Sequence, residues 1–105
     1  MATFSHLGNS GFDAAEIDIF TSTSDSTIVL SILCANISAS PTDVTLRHEN
    51  ASSVLINYVA DAIAIPASSS LELLSNKYIM PSGNKFTIET SVSGSLSYSL
   101  SYVEV

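Results

Sequence analysis

The last third of the chain sets the pattern for the whole. In KFTIETSV, Phe86, Ile88, Thr90 and Val92 fall on one side and Lys85, Thr87, Glu89 and Ser91 on the other. Beyond Ser93-Gly94-Ser95, SLSYSLSYVEV puts Leu96, Tyr98, Leu100 and Tyr102 on one face, with serine at each position between them. A period of two belongs to a pleated strand, whereas a 3.6-residue period would scatter these positions around a helix axis. The two segments read as strands joined by a hairpin turn at Ser93-Gly94-Ser95.

Earlier segments repeat the pattern less cleanly. AEIDIF alternates from Ala15, with Ile17 and Ile19 on one face and Glu16, Asp18 and Phe20 on the other. TIVLSILCANI is apolar on both sides, Ile28, Leu30, Ile32 and Cys34 sharing one face, as expected of a strand covered on both sides or lying at an interface. After the turn at Ser38 to Pro41, DVTLRHE sets Val44, Leu46 and His48 opposite Asp43, Thr45, Arg47 and Glu49, a hairpin partner for the preceding strand. In VLINYVADAIAI, Val54, Ile56 and Tyr58 share a face that Ile63 and Ile65 resume, and Pro66 and the isoleucines argue against a helix there. SLELLS points Leu71 and Leu73 inward, and Pro81-Ser82-Gly83-Asn84 is a turn.

The opening residues carry no period, and Gly8 and Gly11 flank Asn9-Ser10. Residues 1–14 are therefore expected to be a flexible N-terminal arm that orders only against a neighbour, and residues 15–105 the folded domain. The expected fold class is all-β: a single antiparallel β-sandwich, Ig-like or jelly-roll, of about seven or eight strands.

Composition narrows what such a domain can do. The chain has 105 residues, room for one domain. Charged residues are only 12% of it, and about a fifth is serine. A Ser/Thr surface is easily desolvated because no full charge is stripped of water, which suits burial against copies or partners. The net charge is −7, and Arg47, Lys77 and Lys85 are the only cations beside the two histidines. Three scattered cations cannot neutralise a phosphate backbone, so no nucleic-acid partner is expected. No membrane span is expected either, for no stretch approaches the roughly 20 apolar residues it needs. MATFSHLGNSGFD has neither the basic nor the apolar region of a secretory signal, so the Asn-x-Ser triplets at Asn36 and Asn50 carry no weight as glycosylation sites.

Candidate chemistry is sparse. Cys34 is the only cysteine and sits in an apolar run, the place of an inert thiol. A hydrolase triad needs a nucleophile, a histidine and an orienting carboxylate together. His6 lies in the expected arm and His48 on an alternating strand, where it reads as a packed or rim residue. Asp13, Glu16 and Asp18 are the nearest approach to a calcium cluster, but they lack the alternating donors around a glycine turn, and zinc finds no grouped Cys or His. Phosphate-cradling glycine motifs are absent. No catalytic, cofactor-binding or metal-ligating residue is expected. Tyr58, Tyr78, Tyr98 and Tyr102 could form a glycan platform, yet the alternation places Tyr98 and Tyr102 with Leu96 and Leu100 as packing residues.

From Ser26 onward the chain resembles small β-sandwich virion structural proteins of tailed bacteriophages. The resemblance is carried by TIVLSILCANIS, DVTLRHE, AIPASSSLELL, MPSGNKFTIET and SLSYSLSYVEV, and it covers about four fifths of the sequence. It implies a non-enzymatic virion subunit on the outer particle, a homo-oligomer in contact with other capsid, neck or tail proteins. Such a subunit is either a tail or neck component or a capsid decoration protein. A stand-alone glycan- or protein-binding module is the alternative from a different class.

Overall fold

The computed structural model describes residues 3–11, 14–24, 27–74 and 76–104. Among these residues nine strands form two antiparallel sheets: β1 (Thr3–Ser10), β2 (Ile17–Thr21), β3 (Thr27–Asn36), β4 (Thr42–Glu49), β5 (Leu55–Ile65), β6 (Ser70–Glu72), β7 (Tyr78–Met80), β8 (Lys85–Thr90) and β9 (Leu96–Glu104). One sheet runs β1-β9-β3-β6 with β7 also on β3, and the other runs β2-β8-β4-β5. β1 pairs with β9, β2 with β8, β3 with β6 and β7, and β4 with β5. The chain is thus one long hairpin, folded at β4–β5 and rolled so that successive pairs alternate between layers. Of the two sandwich types expected, this nesting is the jelly roll.

The inner faces follow the apolar alternation where the strands are regular. Val44 and Leu46 of β4, Phe86 and Ile88 of β8, and Leu96 and Leu100 of β9 are fully buried in one core with Val29, Ile32, Cys34, Ile65 and Met80. Burial of such side chains stabilises by about 1.5–3 kcal/mol each.

Two expected hairpins are corrected: the turns at Ser38 to Pro41 and Ser93-Gly94-Ser95 carry the chain from one sheet to the other, so β4 pairs with β5 and β8 instead of β3, and β9 with β1 and β3 instead of β8. Further expectations are corrected where strands bulge. The face Ile28, Leu30, Ile32, Cys34 does not persist along β3. Val29 pairs with Tyr102 and Ser31 with Ser101, so Leu30 is an extra residue, and the buried set switches from Thr27 and Val29 to Ile32, Cys34 and Asn36. On β2 the register shifts between Asp18 and Phe20, which turns Phe20 inward, away from the Glu16–Asp18 side assigned to it. On β5 three register shifts separate Val54, Ile56 and Tyr58 from a single face, and all three are exposed. Leu71 pairs with Cys34 but stays partly exposed at the sheet edge, while Leu73 packs on the core.

The flexible arm is also corrected over its described part. Thr3–Ser10 form β1, in unbroken register with β9 from Thr3↔Glu104 to Ser10↔Ser97. Without β1 the backbone groups along the outer edge of β9 would lose their ladder, and backbone hydrogen bonds hold this strand where apolar pattern does not. Residues 1, 2, 12 and 13 of the expected arm lie outside the described residues.

Buried polar groups secure the ends of the sandwich. Asn36 donates from Nδ2 to Ser40 O and Ile65 O at 2.8 and 3.0 Å, and its Oδ1 accepts from Ser38 N and Ser38 Oγ at 2.9 and 2.7 Å. Its amide is therefore fully used. Asn50 accepts from Ser52 N and Val54 N, closing the β4–β5 turn. Both Asn-x-Ser triplets thus serve turns. Between β6 and β7, where the ladder on β3 is interrupted opposite the Leu30 bulge, the Glu72 carboxylate accepts from Ile32 N, Leu74 N and Ser31 Oγ.

Candidate functional site

The histidines are held in polar contacts that give neither of them a triad. His48 is buried on the inner face of β4. Its Nδ1 lies 2.8 Å from Tyr78 Oη and its Nε2 2.9 Å from Asn84 Nδ2, while Tyr78 Oη donates to Asn57 Oδ1 at 3.1 Å. The imidazole stands edge-on to Tyr78, at 5.5 Å between centroids, and Phe86 packs nearby. Burial lowers its pKa, only partly opposed by a hydrogen bond with Asn57. A neutral imidazole between a phenol and an amide is a structural hub, with no carboxylate orienting it toward a nucleophile. His6 reaches Ser99 Oγ at 2.7 Å on the outer face of the β1–β9 pair, in the open.

Glu16 and Asp18, weighed as metal ligands, instead meet cations and hydroxyls. Glu16 accepts from Thr87 Oγ1 at 2.6 Å and lies 3.6 Å from Arg47 Nη1. Lys85 Nζ donates to Asp18 at 3.2 Å, and Arg47 Nη2 to Glu89 at 2.9 Å. Glu16 also hydrogen-bonds the buried Glu49 carboxyl. That contact raises the pKa of Glu49, with burial adding to it, while the Thr87 hydroxyl and Glu49 lower that of Glu16. Among the described residues no three His, Cys, Asp or Glu side chains group as metal ligands, and Asp13 lies outside those residues. Cys34 is fully buried and burial pushes its thiol pKa up to about 12, so it is no nucleophile at neutral pH.

The tyrosines do not form a platform. Tyr98 is buried, Tyr102 packs on Phe20 and Tyr78 on Phe86. Tyr58 alone of the four is half exposed, with the Arg47 guanidinium 5.6 Å from its ring centre. A depression of about 530 Å³ is lined, among the described residues, by Leu30, Leu74, Asn76 and Lys77, which include no acid–base pair.

What the surface offers is apolar area on a weakly charged background. Phe4 is 74% exposed and Ile79 72%, both on the outer face of the β1-β9-β3 sheet, where Leu33 is also exposed. Ser97, Ser99 and Ser101 run down the same face of β9. A second exposed zone follows β5 through Leu55, Ile56, Tyr58 and Ile63, preceded by Val54. Exposed apolar groups gathered on one face are the kind of surface that takes part in interactions. Sequence reasoning missed Phe4 and Ile79 as members of one surface, because only the pairing of β1 and β7 into the same sheet brings them onto it.

No protein-family model matches the sequence, and no curated protein matches it. The fold is similar to solved structures. A chain from the disulfide-linked pili that form Bacillus endospore appendages superposes with a TM-score of 0.61 at 11% identity, covering 100% of this chain and 87% of that one. A chain from the acid-stable capsid of Helicobacter pylori bacteriophage KHP30 gives 0.58 at 9% identity, covering 97% and 85%. Infectious bursal disease virus VP2, in its subviral particle, gives 0.58 at 12% identity, covering 98% of this chain but only 33% of VP2. The chain therefore spans about a third of VP2. At these identities the likeness is one of fold.

Proposed function

We propose that this chain is a non-enzymatic bacteriophage virion structural protein. In this reading it is a small self-associating jelly-roll subunit on the outer particle, either a tail or neck component or a capsid decoration protein. The observation that carries the reading is the surface: two exposed apolar zones, on the outer sheet face at Phe4, Leu33 and Ile79 and along β5, beside a serine-lined strand with little charge. Such surface is cheap to desolvate, and in a symmetric particle each weak contact is repeated many times. The likeness in fold to a phage-capsid chain, a viral capsid protein and a pilus chain supports it, since each of those comes from a many-copy assembly. The acidic balance keeps nucleic acid from being its partner, and the hubs around His48 and Glu16 are structural.

Immunogold electron microscopy of purified phage particles, with antibody against this chain, tests the reading. Gold on the particle is expected, and its position distinguishes head from neck and tail. Bare particles with the protein free in the lysate overturn it in favour of a soluble glycan- or protein-binding module.

A further inference from the structure

A β-sandwich of two open sheets has four edges, and three of these are blunted. β2 is five residues long, shifts register at Ile19 and carries Asp18. β5 sets eleven residues against the eight of β4 through three register shifts, with Ala62 at φ 50° and Asp61 beside it. The edge formed by β6 and β7 is two pieces of three residues each. Bulges, charges and short strands are the devices by which sheet edges avoid pairing with another chain.

β1 has none of them. It runs eight residues in unbroken register, contains no proline, Asp, Glu, Lys or Arg, and is exposed at seven of its eight positions. The direction of its free backbone groups follows from one bond. Gly11 N–H donates to Leu96 O at 2.9 Å, and the antiparallel ladder alternates from there. Asn9, Leu7, Ser5 and Thr3 therefore bond to β9, while Phe4, His6, Gly8 and Ser10 turn their backbone groups to the open edge. The Ser10 N–H is taken by Asn9 Oδ1 at 2.8 Å, as expected of a group that β9 does not use.

We infer that the β1 edge is the self-association edge, and that it takes β1 of a second copy of this chain, antiparallel, so that one sheet continues through both. A second copy fits because every other edge brings carboxylates, in a chain of net charge −7, whereas β1 brings none. A two-fold axis at Leu7 pairs the strand from Phe4 to Ser10: His6 exchanges backbone bonds with Gly8 of the second copy, the Phe4 N–H donates to its Ser10 carbonyl while the Ser10 N–H keeps its bond to Asn9 Oδ1, and the two Leu7 side chains meet. The pairing rests on the self-associating reading above and assigns it a surface.

Leu7 on the axis is a non-hydrogen-bonded pair, with Cα atoms about 4.5 Å apart, within disulfide range. The test is oxidative cross-linking of the full chain carrying Leu7→Cys, with the exposed Ile79→Cys as control; the native Cys34 is fully buried and does not compete. Rapid conversion of Leu7→Cys to a disulfide dimer, many-fold faster than Ile79→Cys, is expected. Equal rates overturn the inference. Sedimentation and amide exchange on the unmodified protein guard against a variant that fails to fold. Concentration should double the mass and slow exchange at Phe4, His6 and Gly8. A monomer at every concentration, or an oligomer that leaves those three amides fast, overturns it. Labelled particles with a monomeric chain would remove the pairing and keep the virion reading. A dimer with bare particles would do the reverse.

Discussion

Phe20 and Tyr102 meet across the sandwich with ring centroids 4.7 Å apart and planes tilted by 50°, and bulges adjoin both rings. The register shift at Ile19 turns Phe20 inward, and the extra residue Leu30 lies beside Val29, the partner of Tyr102. The pair links β2 of one sheet to β9 of the other. Phe20→Ala should cost about 3–5 kcal/mol, as for other buried aromatics. Combined with Tyr102→Ala, a double-mutant cycle should return a coupling of about 0.5–1.5 kcal/mol. Urea titrations of the four proteins give both values, and zero coupling would mean that the rings touch without mutual support.

Asn36 is the next most exposed to loss, because each of its amide atoms has a specific partner. Asn36→Ala strands the Ile65 carbonyl in the interior and frees the Ser38 turn. The cost is expected at about 1–3 kcal/mol for each polar group left without a partner. The denaturation midpoint should fall while the urea slope stays constant, since the surface exposed on unfolding is unchanged. Asn36→Asp keeps the shape and the acceptor but not the two donors, and should be at least as damaging.

The Glu16–Glu49 pair sets a pH dependence whose sign differs between its members. The Glu49 carboxyl is held above its ordinary value of 4.5, first by the hydrogen bond to Glu16 and then by burial, so the folded state holds this proton more tightly than the unfolded chain. Its contribution is complete below 4.5 and is lost as pH rises through the raised value. Glu16 is held below 4.5 by Thr87, Glu49 and Arg47, and its contribution is lost as pH falls through the lowered value. Glu49→Gln has no carboxyl to ionise and should lack the upper loss. Melting temperatures measured against pH should therefore fall for the parent, relative to Glu49→Gln, as pH rises above 4.5. Parallel curves across that range would show that the Glu49 carboxyl is not held above its ordinary value.

Where a strand is regular its faces could be read from the letters alone. β8 and β9 bury Phe86, Ile88, Thr90, Leu96, Tyr98 and Leu100 as the alternation assigns, although Thr87 and Val103 of the opposite faces are buried too and Tyr102 only half so, and His48 is packed because it continues the Val44, Leu46 series. The errors of face fall at bulges, and those of pairing at the turns after β3 and β8, where a short turn leads to the other sheet instead of back along the same one. Neither Ile19 nor Leu30 is a glycine, and an extra β-branched or leucine residue looks the same in sequence as the next residue of an unbroken strand. β1 escaped notice for another reason: Phe4, His6, Gly8 and Ser10 on one face and Thr3, Ser5, Leu7 and Asn9 on the other give no apolar contrast, because both faces are largely wet. The interaction surface was illegible on the same ground, since it joins Phe4, Leu33 and Ile79 from three strands.

The bulge at Asp61-Ala62 shows what such an irregularity costs when glycine is not used. Ala62 sits at φ 50°, in the left-handed region where a Cβ crowds the backbone, and its N–H donates to Thr45 Oγ1 at 3.0 Å instead of completing the ladder to β4. Ala62→Gly removes the crowding but enlarges the freedom of the unfolded chain, two effects of similar size and opposite sign. The left-handed penalty for an L-residue is about 1–2 kcal/mol, and the entropic cost of glycine about 0.5–1 kcal/mol. The first is larger, so Ala62→Gly should be neutral to stabilising by up to about 1.5 kcal/mol. Thr45→Val should destabilise, because it deprives the same N–H of its acceptor. Urea midpoints for the two variants check the pair of signs, and a clear loss of stability in Ala62→Gly would mean that the methyl group contributes packing that outweighs the strain.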